Sequence, residues 1–323
     1  MRAPTLRHAR LLLTAAVIST GALVAGGSAA QAAVTNDGTT QATAAASCYE
    51  AKQVDSGAAS GVYWILTPQL QAPTEIYCDM TTDGGGWELV GRGRENWSLA
   101  YNGNGTPAQV AGTVTGTGAF KPRQLDSKVV DGLLGGRRLD SFSDGVRIRR
   151  ALNEGGTSWQ ESRWLYRANS RDRWSWAFGA GYPLASATIG GTTVSNVTTY
   201  DIAADSSYKR MWTYESSNND YVRGFNFGKN GEGSTSSSSY IYSSAGGDYG
   251  TPFTQVFIRP TLRTSDLTYA AIPSSGTAAQ IIKAVPKNGS LTSTWGVTGL
   301  GAGGTSENAS EVQAFAQIGN VMY

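Results

Sequence analysis

Three consecutive glycines followed by a tryptophan place the tightest restriction on how this chain folds. Glycine lacks a β-carbon and adopts backbone angles that other residues avoid, so the run predicts a sharp turn. Strand-like alternation flanks the run, at residues 75–78 before it and at residues 87–92 after it. The missing side chains also leave room for the tryptophan to pack against neighbouring backbone. We therefore predict a structural role, rather than ligand contact, for Gly84, Gly85, Gly86 and Trp87.

Residues 47–263 have the composition of a domain with many short strands, few helices and long ordered loops. Eight of the nine tryptophans lie in this window, separated by glycines and short polar turns. Residues 62–66 and 254–259 are further strand candidates, whereas residues 126–134 and 159–166 are the helix candidates. Residues 228–250 are too polar to fill a core. They form either a disordered loop or an ordered loop around a ligand or an ion.

The N-terminus has the pattern of an export signal. Arginines precede an apolar stretch, and small residues at Ala30 and Ala32 predict cleavage before Ala33. Residues 1–32 are therefore interpreted as a signal peptide and the protein as secreted. The apolar stretch is too short to predict a membrane span. Residues 33–46 are mostly Ala, Thr, Gln and Asn, which predicts a flexible linker.

The charge of the exported chain gives no indication of nucleic-acid binding. The whole chain has 26 Lys and Arg against 24 Asp and Glu, and residues 1–32 contain three of the arginines. The exported part is therefore 23 against 24, close to neutral, whereas nucleic-acid binding needs a clustered cationic surplus. The arginines of residues 147–150 lie near Asp144 and Glu154, which predicts a solvated surface of mixed charge.

The histidine and cysteine content limits the possible chemistry. The single histidine, His8, leaves with the signal peptide, which excludes histidine-dependent hydrolysis and histidine-bearing zinc sites. Cys48 and Cys78 are the only cysteines, and in an exported protein such a pair predicts one disulfide. We predict that the protein is not an enzyme. A glycoside hydrolase that uses two carboxylates stays open as an alternative.

Residues 264–323 differ from the preceding domain. They contain strand-like pieces, no cysteine and few aromatic residues, which make a weak independent core. The segment resembles the opening of a β-propeller or another β-repeat, so a truncated first repeat is one interpretation. A strand-rich tail that docks on the main domain is the other.

The landmarks around the first turn occur together in a known family. Residues 60–65 (SGVYWI), residues 76–80 (IYCDM) and residues 82–87 (TDGGGW) follow one another as they do in fibrinogen-related domains. Residues 256–260 (VFIRP) resemble the strand that closes these domains. The resemblance implies an α+β, β-rich fibrinogen C-terminal-like domain with short twisted antiparallel sheets. It also implies a disulfide between the family's first two cysteines, which Cys48 and Cys78 match here. Separately, the arginine-rich signal peptide and the low lysine content suggest a high-GC bacterium.

The resemblance also implies where a ligand would lie. The chain lacks the calcium loop and second disulfide of the animal domains, and its later part is similar to intelectins, a related lectin family. On these comparisons the candidate calcium ligands are Asp201, Asp205, Glu232 and Asp248. The residues that would offer apolar faces to a sugar ring or an acetyl group are Tyr240, Tyr242 and Tyr249.

Three functions follow from these observations. The first is a secreted recognition module that binds an extracellular carbohydrate or N-acetylated group, with calcium as a candidate cofactor. The second is a structural or adhesive module of a longer surface protein, without a small ligand. The third is the carboxylate-based glycoside hydrolase. No nucleic-acid partner is expected, and the oligomeric state is left open.

Overall fold

The computed structural model describes residues 35–70, 72–98, 100–176, 182–198, 233–247 and 250–267, and the backbone of short strands further along the chain. The described residues contain three α-helices: α1 (Cys48–Val54), α2 (Pro107–Gly112) and α3 (Ser127–Leu133). Each helix starts at a capping side chain. Ser47 accepts from the Glu50 amide, and Asp126 accepts from the Lys128 amide. The predicted helix at 126–134 is therefore confirmed, because Asp126 supplies its cap.

Most of the described chain is β-structure. The strands are β1 (Gly61–Ile65), β2 (Thr74–Asp79), β3 (Trp87–Gly93), β4 (Arg123–Gln124), β5 (Val146–Ala151), β6 (Trp159–Tyr166), β7 (Pro183–Ile189), β8 (Thr192–Thr198), β9 (Met211–Trp212), β10 (Asn226–Phe227), β11 (Ile241–Tyr242), β12 (Thr251–Pro252), β13 (Thr254–Ile258), β14 (Tyr269–Ile272), β15 (Gln280–Lys283), β16 (Val297–Gly299), β17 (Gln317–Ile318) and β18 (Val321–Met322). This composition confirms the predicted β-rich α+β class.

One nine-stranded antiparallel sheet organises the domain. Its order is β1-β2-β3-β13-β5-β6-β7-β8, and β4 also pairs with β3. The late strand β13 lies between β3 and β5, so strands distant in sequence meet at the centre of the sheet. Smaller sheets pair β9 with β10, β11 with β12, β14 with β15 and β16, and β17 with β18. The position of β13 brings the early glycine turn and the late loops onto one scaffold.

Two apolar clusters hold the described elements together. The larger cluster contains the buried indoles of Trp87, Trp164, Trp174 and Trp176. A smaller cluster of Ala119, Phe120, Ala151 and Phe253 lies apart from it, with Trp159 and Tyr240 packed against its side. Burying a large apolar side chain contributes about 1.5–3 kcal/mol to folding, so both clusters are substantial. The smaller one positions the loop discussed below.

The expected helix at 159–166 is wrong. These residues form β6, in which Ser162, Trp164 and Tyr166 are buried and the residues between them are partly exposed. That two-residue period is the signature of a strand with one face on a core. Apolar Trp159 and Leu165 lie on the other face, and they concealed the period in the sequence.

The interpretation of residues 33–46 as a flexible linker is wrong for the part that the structure describes. Ala44, Ala45 and Ala46 are fully buried, and Ala45 forms a parallel bridge with Ile65 of β1. The Ala45 amide donates to the Trp64 carbonyl, and the Leu66 amide donates to the Ala45 carbonyl. Small methyl groups let this segment pack closely on the sheet edge, so backbone hydrogen bonds supply the order that side-chain composition did not predict.

The predicted boundary at residue 263 also changes. Thr264 donates from its amide and from its hydroxyl to the Glu50 carboxylate, each at 2.8 Å, and Leu267 belongs to the main core. The first domain therefore extends at least to residue 267. Residues 1–34 lie outside the described residues, so the signal peptide stays a prediction. The truncated repeat and the docking tail, the two interpretations of the end of the chain, also stay predictions.

Candidate functional site

The disulfide and the glycine turn fasten the entrance of the domain. Cys48 of α1 and Cys78 of β2 form a disulfide with their Cα atoms 5.6 Å apart. All three glycines of the turn have positive φ. A β-carbon on Gly85 would lie 2.3 Å from the Met80 carbonyl oxygen, and one on Gly86 would lie 2.7 Å from the Tyr49 Cα. No other residue fits these two positions without moving backbone.

Trp87 is enclosed by cations rather than by apolar side chains alone. Its indole is fully buried, and its N–H donates to the Thr82 carbonyl. The guanidinium carbons of Arg147, Arg163 and Arg259 lie 4.9, 5.0 and 4.5 Å from the ring centre. Contacts of this kind contribute about 0.5–2 kcal/mol each, more when they are desolvated. The turn residues predicted to be structural thus occupy the centre of a packed cluster.

Each of these three arginines has a carboxylate partner. Arg147 pairs with Asp79 at 2.6 Å, Arg163 with Asp83, and Arg259 with Asp144 through two hydrogen bonds. We call this balanced arrangement the tryptophan cluster. It corrects the prediction that residues 147–150 form a solvated surface, because Arg147 and Arg150 are almost completely buried.

Burial would raise the pKa of the Asp79 carboxyl, but its neighbours more than offset that effect. Hydrogen bonds from Thr82 and the charge of Arg147 hold the pKa of Asp79 well below its usual range. Asp79 is therefore ionised wherever the protein is folded at ordinary pH. The ion pair with Arg147 is a permanent part of the fold.

The polar segment 233–247 is an ordered loop. The amide of Gly233 donates to the Gly247 carbonyl, and Ser234 and Ser243 are linked by a backbone hydrogen bond of 2.9 Å. The Tyr240 amide donates to the Glu154 carbonyl, and the Phe253 amide donates to the Tyr240 carbonyl. Backbone hydrogen bonds rather than apolar side chains fix this loop, so the ordered alternative is correct for these residues.

Tyr240 and Tyr242 lie in this loop, and the protein itself engages both rings. Tyr240 contacts Phe120, Trp159 and Phe253 edge-on, and its hydroxyl accepts from the Gly116 amide at 2.6 Å. The Tyr242 ring stacks on the guanidinium of Arg94 at 4.5 Å. Contact of either tyrosine with a ligand stays a prediction. Tyr249 and the four acids Asp201, Asp205, Glu232 and Asp248 lie outside the described residues.

Arg94 links the loop to the end of β3. Its guanidinium lies between the rings of Phe120 and Tyr242, and it donates to the Ser237 and Ser239 carbonyls and to the Glu95 carboxylate. Only 5% of Arg94 is exposed. Sequence reasoning missed this residue, which directly follows β3, because its partners Ser237 and Ser239 are distant in sequence.

A cleft of about 490 Å³ opens beside Arg94. Its charged and amide-bearing lining residues are Arg94, Glu95, Asn96, Asn104, Lys121 and Arg123. Phe120 forms an apolar part of the wall, and Ser237 contributes the rim from the polar loop. We call this the basic cleft. It combines one aromatic surface with several polar groups, which is the usual make-up of a ligand site.

Two features of β3 shape the basic cleft. A β-carbon on Gly93 would lie 2.5 Å from the Pro122 Cα, so glycine lets the segment around Pro122 approach the strand. Arg92 is buried and donates to the carbonyls of Gln109, Ala119 and Lys121, which ties α2 and the cleft wall to the sheet. Burial and, to a smaller extent, the charge of Arg123 lower the pKa of Arg92 to about 10.

A larger cleft of about 760 Å³ lies between α3 and the β1–β2 connection. Its charged lining residues balance: Asp126, Asp131, Asp172, Lys128, Arg137 and Arg173. Two of the acids have structural roles, because Asp126 caps α3 and Asp131 accepts from the Trp174 amide at 2.7 Å. Burial raises the pKa of Asp131. The balanced charges and structural roles make this cleft the weaker candidate.

Neither a metal site nor a membrane span is found in the part of the chain that the structure describes. No group of three or more His, Cys, Asp or Glu side chains there is arranged to hold a metal ion. No helix there is long and apolar enough to cross a bilayer. The candidate calcium ligands lie outside this part, so they stay predictions.

Comparison with known proteins finds a family match for the first part of the domain. Residues 45–105 match the family described as fibrinogen beta and gamma chains, C-terminal globular domain. Angiopoietin-4 of Bos taurus is 44% identical over 46 residues, which are 14% of this chain and 9% of that protein. Angiopoietin-4 of Mus musculus is 45% identical over 42 residues, or 13% of this chain and 8% of that protein. The chain thus spans less than a tenth of the length of these relatives.

Two solved structures are also similar. The fibrinogen-like globe domain of human ANGPTL6 aligns with 67% of this chain and 95% of its own, at 19% identity and a TM-score of 0.33. That of human ANGPTL2 aligns with 67% and 99%, at 16% identity and a TM-score of 0.32. The sequence match over residues 45–105 contains the disulfide, the glycine turn and Trp87. Over this part, the chain is similar to the fibrinogen C-terminal family.

Proposed function

We propose that the protein is an extracellular recognition module whose basic cleft binds a carbohydrate or an N-acetylated group. The observation that carries the proposal is the cleft itself, an open space of about 490 Å³ beside a loop that backbone hydrogen bonds hold in place. Its walls present hydroxyl and amide groups together with the Phe120 ring. Such a mixture suits a sugar, which has polar edges and apolar ring faces.

The rigidity of the surroundings supports a binding role. Arg94 fixes the loop to the end of β3, and Arg92 fixes the opposite wall to the same strand. Pre-formed walls lose little conformational entropy when a ligand binds, so weak polar contacts suffice for useful affinity. The export signal predicted at residues 1–32 supports a position of the cleft outside the cell.

Calcium dependence is a separate part of the proposal. It depends on Asp201, Asp205, Glu232 and Asp248, which are carboxylates near the polar segment in sequence. Calcium prefers several such oxygen ligands. Exchange of Glu232 and Asp248 for Gln and Asn removes any rise in melting temperature on adding calcium, if these residues bind the ion.

Known members of the family are not enzymes, which agrees with a non-catalytic module. A carboxylate-based hydrolase needs two acids that face each other across a groove. In the basic cleft, Glu95 is the one acid among the described lining residues, and it is held by Arg94. Release of reducing sugar from any bound glycan would favour the hydrolase instead.

Glycan-array binding of the exported chain, with and without calcium, tests the proposed function. The blocking variant is Ser237→Trp, because Ser237 is exposed on the cleft rim and only its backbone carbonyl bonds to Arg94. We expect binding to fall at least tenfold while the unfolding free energy stays the same. The matched control is Ser244→Trp, an exposed serine of the same loop that does not line the cleft. Absence of binding to every glycan, or equal loss in both variants, contradicts the proposal.

A further inference from the structure

The cations around the basic cleft are concentrated at one place in the sheet. Arg92 of β3 and Arg123 of β4 are direct partners in the antiparallel register. Like charges opposite each other in a sheet destabilise it, so this pairing is unfavourable for folding. Arg94, Lys121 and Arg123 line the basic cleft. Together with Arg92, they make four cations near the end of β3.

Carboxylates do not balance these charges in the described part of the chain. Glu95 is the one acid that lines the cleft there, and both of its oxygens are bonded to Arg94. Arg92 donates to backbone carbonyls, and Arg123 donates to the Asn104 carbonyl at 3.0 Å. Lys121 is exposed at the cleft wall. Carbonyl dipoles satisfy hydrogen bonds but leave the net positive charge in place.

The arrangement differs from the other clusters of the molecule. Both the tryptophan cluster and the larger cleft contain as many acids as bases. A surplus of cations in one concave, partly desolvated place raises the local concentration of anions. Bidentate or paired contacts from Arg and Lys are the common way in which proteins hold carboxylate and phosphate groups.

We propose that the basic cleft binds an anionic polysaccharide, in which Lys121 and Arg123 contact the carboxylate or phosphate groups of the polymer. This inference rests on the proposed function and narrows its ligand to acidic glycans. Asn96 and Ser237 line the same cleft and supply hydrogen bonds to the hydroxyl groups of the polymer. Neutral sugars gain only these weaker contacts.

A matched pair of polymers tests the charge requirement. Polygalacturonate oligosaccharides carry one carboxylate per sugar, and their methyl esters have the same rings and linkages without the charge. We expect calorimetry on the full exported chain to show at least tenfold tighter binding to the acid form. The difference in affinity shrinks in 1 M salt, because the electrostatic screening length there is only about 3 Å. The same measurement with poly(glycerol phosphate) shows whether the cleft binds phosphate groups as well as carboxylates.

The variant arm uses Lys121→Gln combined with Arg123→Gln, in which the glutamine amides can still donate hydrogen bonds. Binding of the acid polymer is expected to fall at least tenfold. The control, Lys128→Gln combined with Arg137→Gln, removes the same charge from the larger cleft and is expected to leave binding unchanged. Unfolding free energies of both variants show that they are folded.

The outcomes separate this inference from the proposed function. Equal affinity for acid and ester, or equal effects of the two double variants, overturns the anionic ligand while the recognition module stands. Binding of neutral glycans without binding of either acidic polymer also overturns it. Absence of binding to any glycan overturns the proposed function together with the inference.

Discussion

Strand β3 connects two groups of cations that are organised in opposite ways. At its start, the tryptophan cluster surrounds Trp87 with three arginines, and each one is bonded to a carboxylate. At its end, beside the basic cleft, Arg92 and Arg123 donate to backbone carbonyls and Lys121 is exposed, and the described residues pair none of the three with an acid. Trp87 and Arg92 are five positions apart on this strand, which therefore connects a balanced cluster to an unbalanced one.

The difference indicates what each end is for. Paired and buried charges that also stack on an aromatic ring hold elements in one arrangement, and breaking them is costly. Unpaired cations at an open surface contribute little to folding and are free to meet an external anion. We therefore expect substitutions at the first end to change stability and substitutions at the second end to change binding.

Breaking the balanced end should have the largest effect. Arg147 is fully buried between Trp87 and Phe257, and its ion pair with Asp79 is 2.6 Å long. Arg147→Met leaves the Asp79 charge buried without its cation, and we expect a loss of about 3–5 kcal/mol in the free energy of unfolding. Urea denaturation at neutral pH measures it. A loss below about 1 kcal/mol would show that the cluster is not a structural centre.

A second substitution identifies the cause. In Arg147→Met combined with Asp79→Asn the unpaired charge is gone, so part of the stability returns. The pKa of Asp79 is held below its usual value in the fold, so its contribution is present at neutral pH and is lost as the pH falls through that low pKa. In Asp79→Asn, the free energy of unfolding should therefore fall less steeply as the pH is lowered. The same decline in both proteins would contradict the role of the ion pair.

The disulfide reinforces the balanced end covalently, and its removal is the next largest effect. Cys48 and Cys78 are 30 residues apart, and a loop of that size predicts roughly 3 kcal/mol of stabilisation. Cys48→Ser combined with Cys78→Ser should lower the melting temperature to that of the reduced wild type. Reducing agent should not affect the variant further. Equal melting temperatures for oxidised wild type and variant would show that the bond is dispensable.

Parts of the balanced end were predictable from sequence, and local signals explain which. The glycine run has a local backbone requirement, and the two cysteines had no other partners in the sequence, so the turn and the disulfide were found. The residue pattern of 126–134 predicted α3, and Asp126 caps this helix in the structure. These features depend on neighbours within a few residues or on the count of one residue type.

The arginine environments depend on distant partners. Arg147 meets Asp79 from 68 positions away, so a run of basic residues resembled a solvated surface. Arg92 and Arg123 become neighbours only because β4 pairs with β3. The register of that pairing cannot be read from either segment alone. The basic cleft was therefore missed, whereas the polar loop beside it was noticed for its composition.

Glu88, an acid at the balanced end, has no ion-pair partner in the part of the chain that the structure describes, so it tests the effect of burying a charge without a cation. Glu88 is fully buried, and one of its oxygens accepts from the Cys48 amide at 3.1 Å. Burial raises the pKa of Glu88 well above its usual value, although the Cys48 hydrogen bond opposes this. A raised pKa in the folded state gives stability that is complete below the unfolded pKa and is lost as the pH rises through the folded one.

Glu88→Gln removes this titration and keeps an oxygen for the Cys48 amide. We expect the wild type to lose stability, relative to the variant, as the pH rises from the ordinary glutamate pKa towards the raised pKa of Glu88, by roughly 1–3 kcal/mol, the usual cost of leaving a buried polar group unpaired. Urea denaturation across this range measures the difference. Parallel pH profiles for the two proteins would show that Glu88 does not titrate in the fold.

The smallest effect is expected at the basic cleft, where adding an acid should help folding. Lys121 is exposed, and its side chain makes no hydrogen bond within the described residues. Lys121→Glu gives Arg92 and Arg123 a nearby opposite charge, so the free energy of unfolding should rise by about 0.2–1 kcal/mol and return to the wild-type value in 1 M salt. Arg137→Glu, placed among the acids of the larger cleft, should change stability in the opposite direction. If Lys121→Glu instead destabilises the protein and leaves binding of acidic polymers intact, the end of β3 is not an unbalanced cationic site. A gain in stability with a loss of binding shows that the chain keeps this charge repulsion for the sake of its ligand.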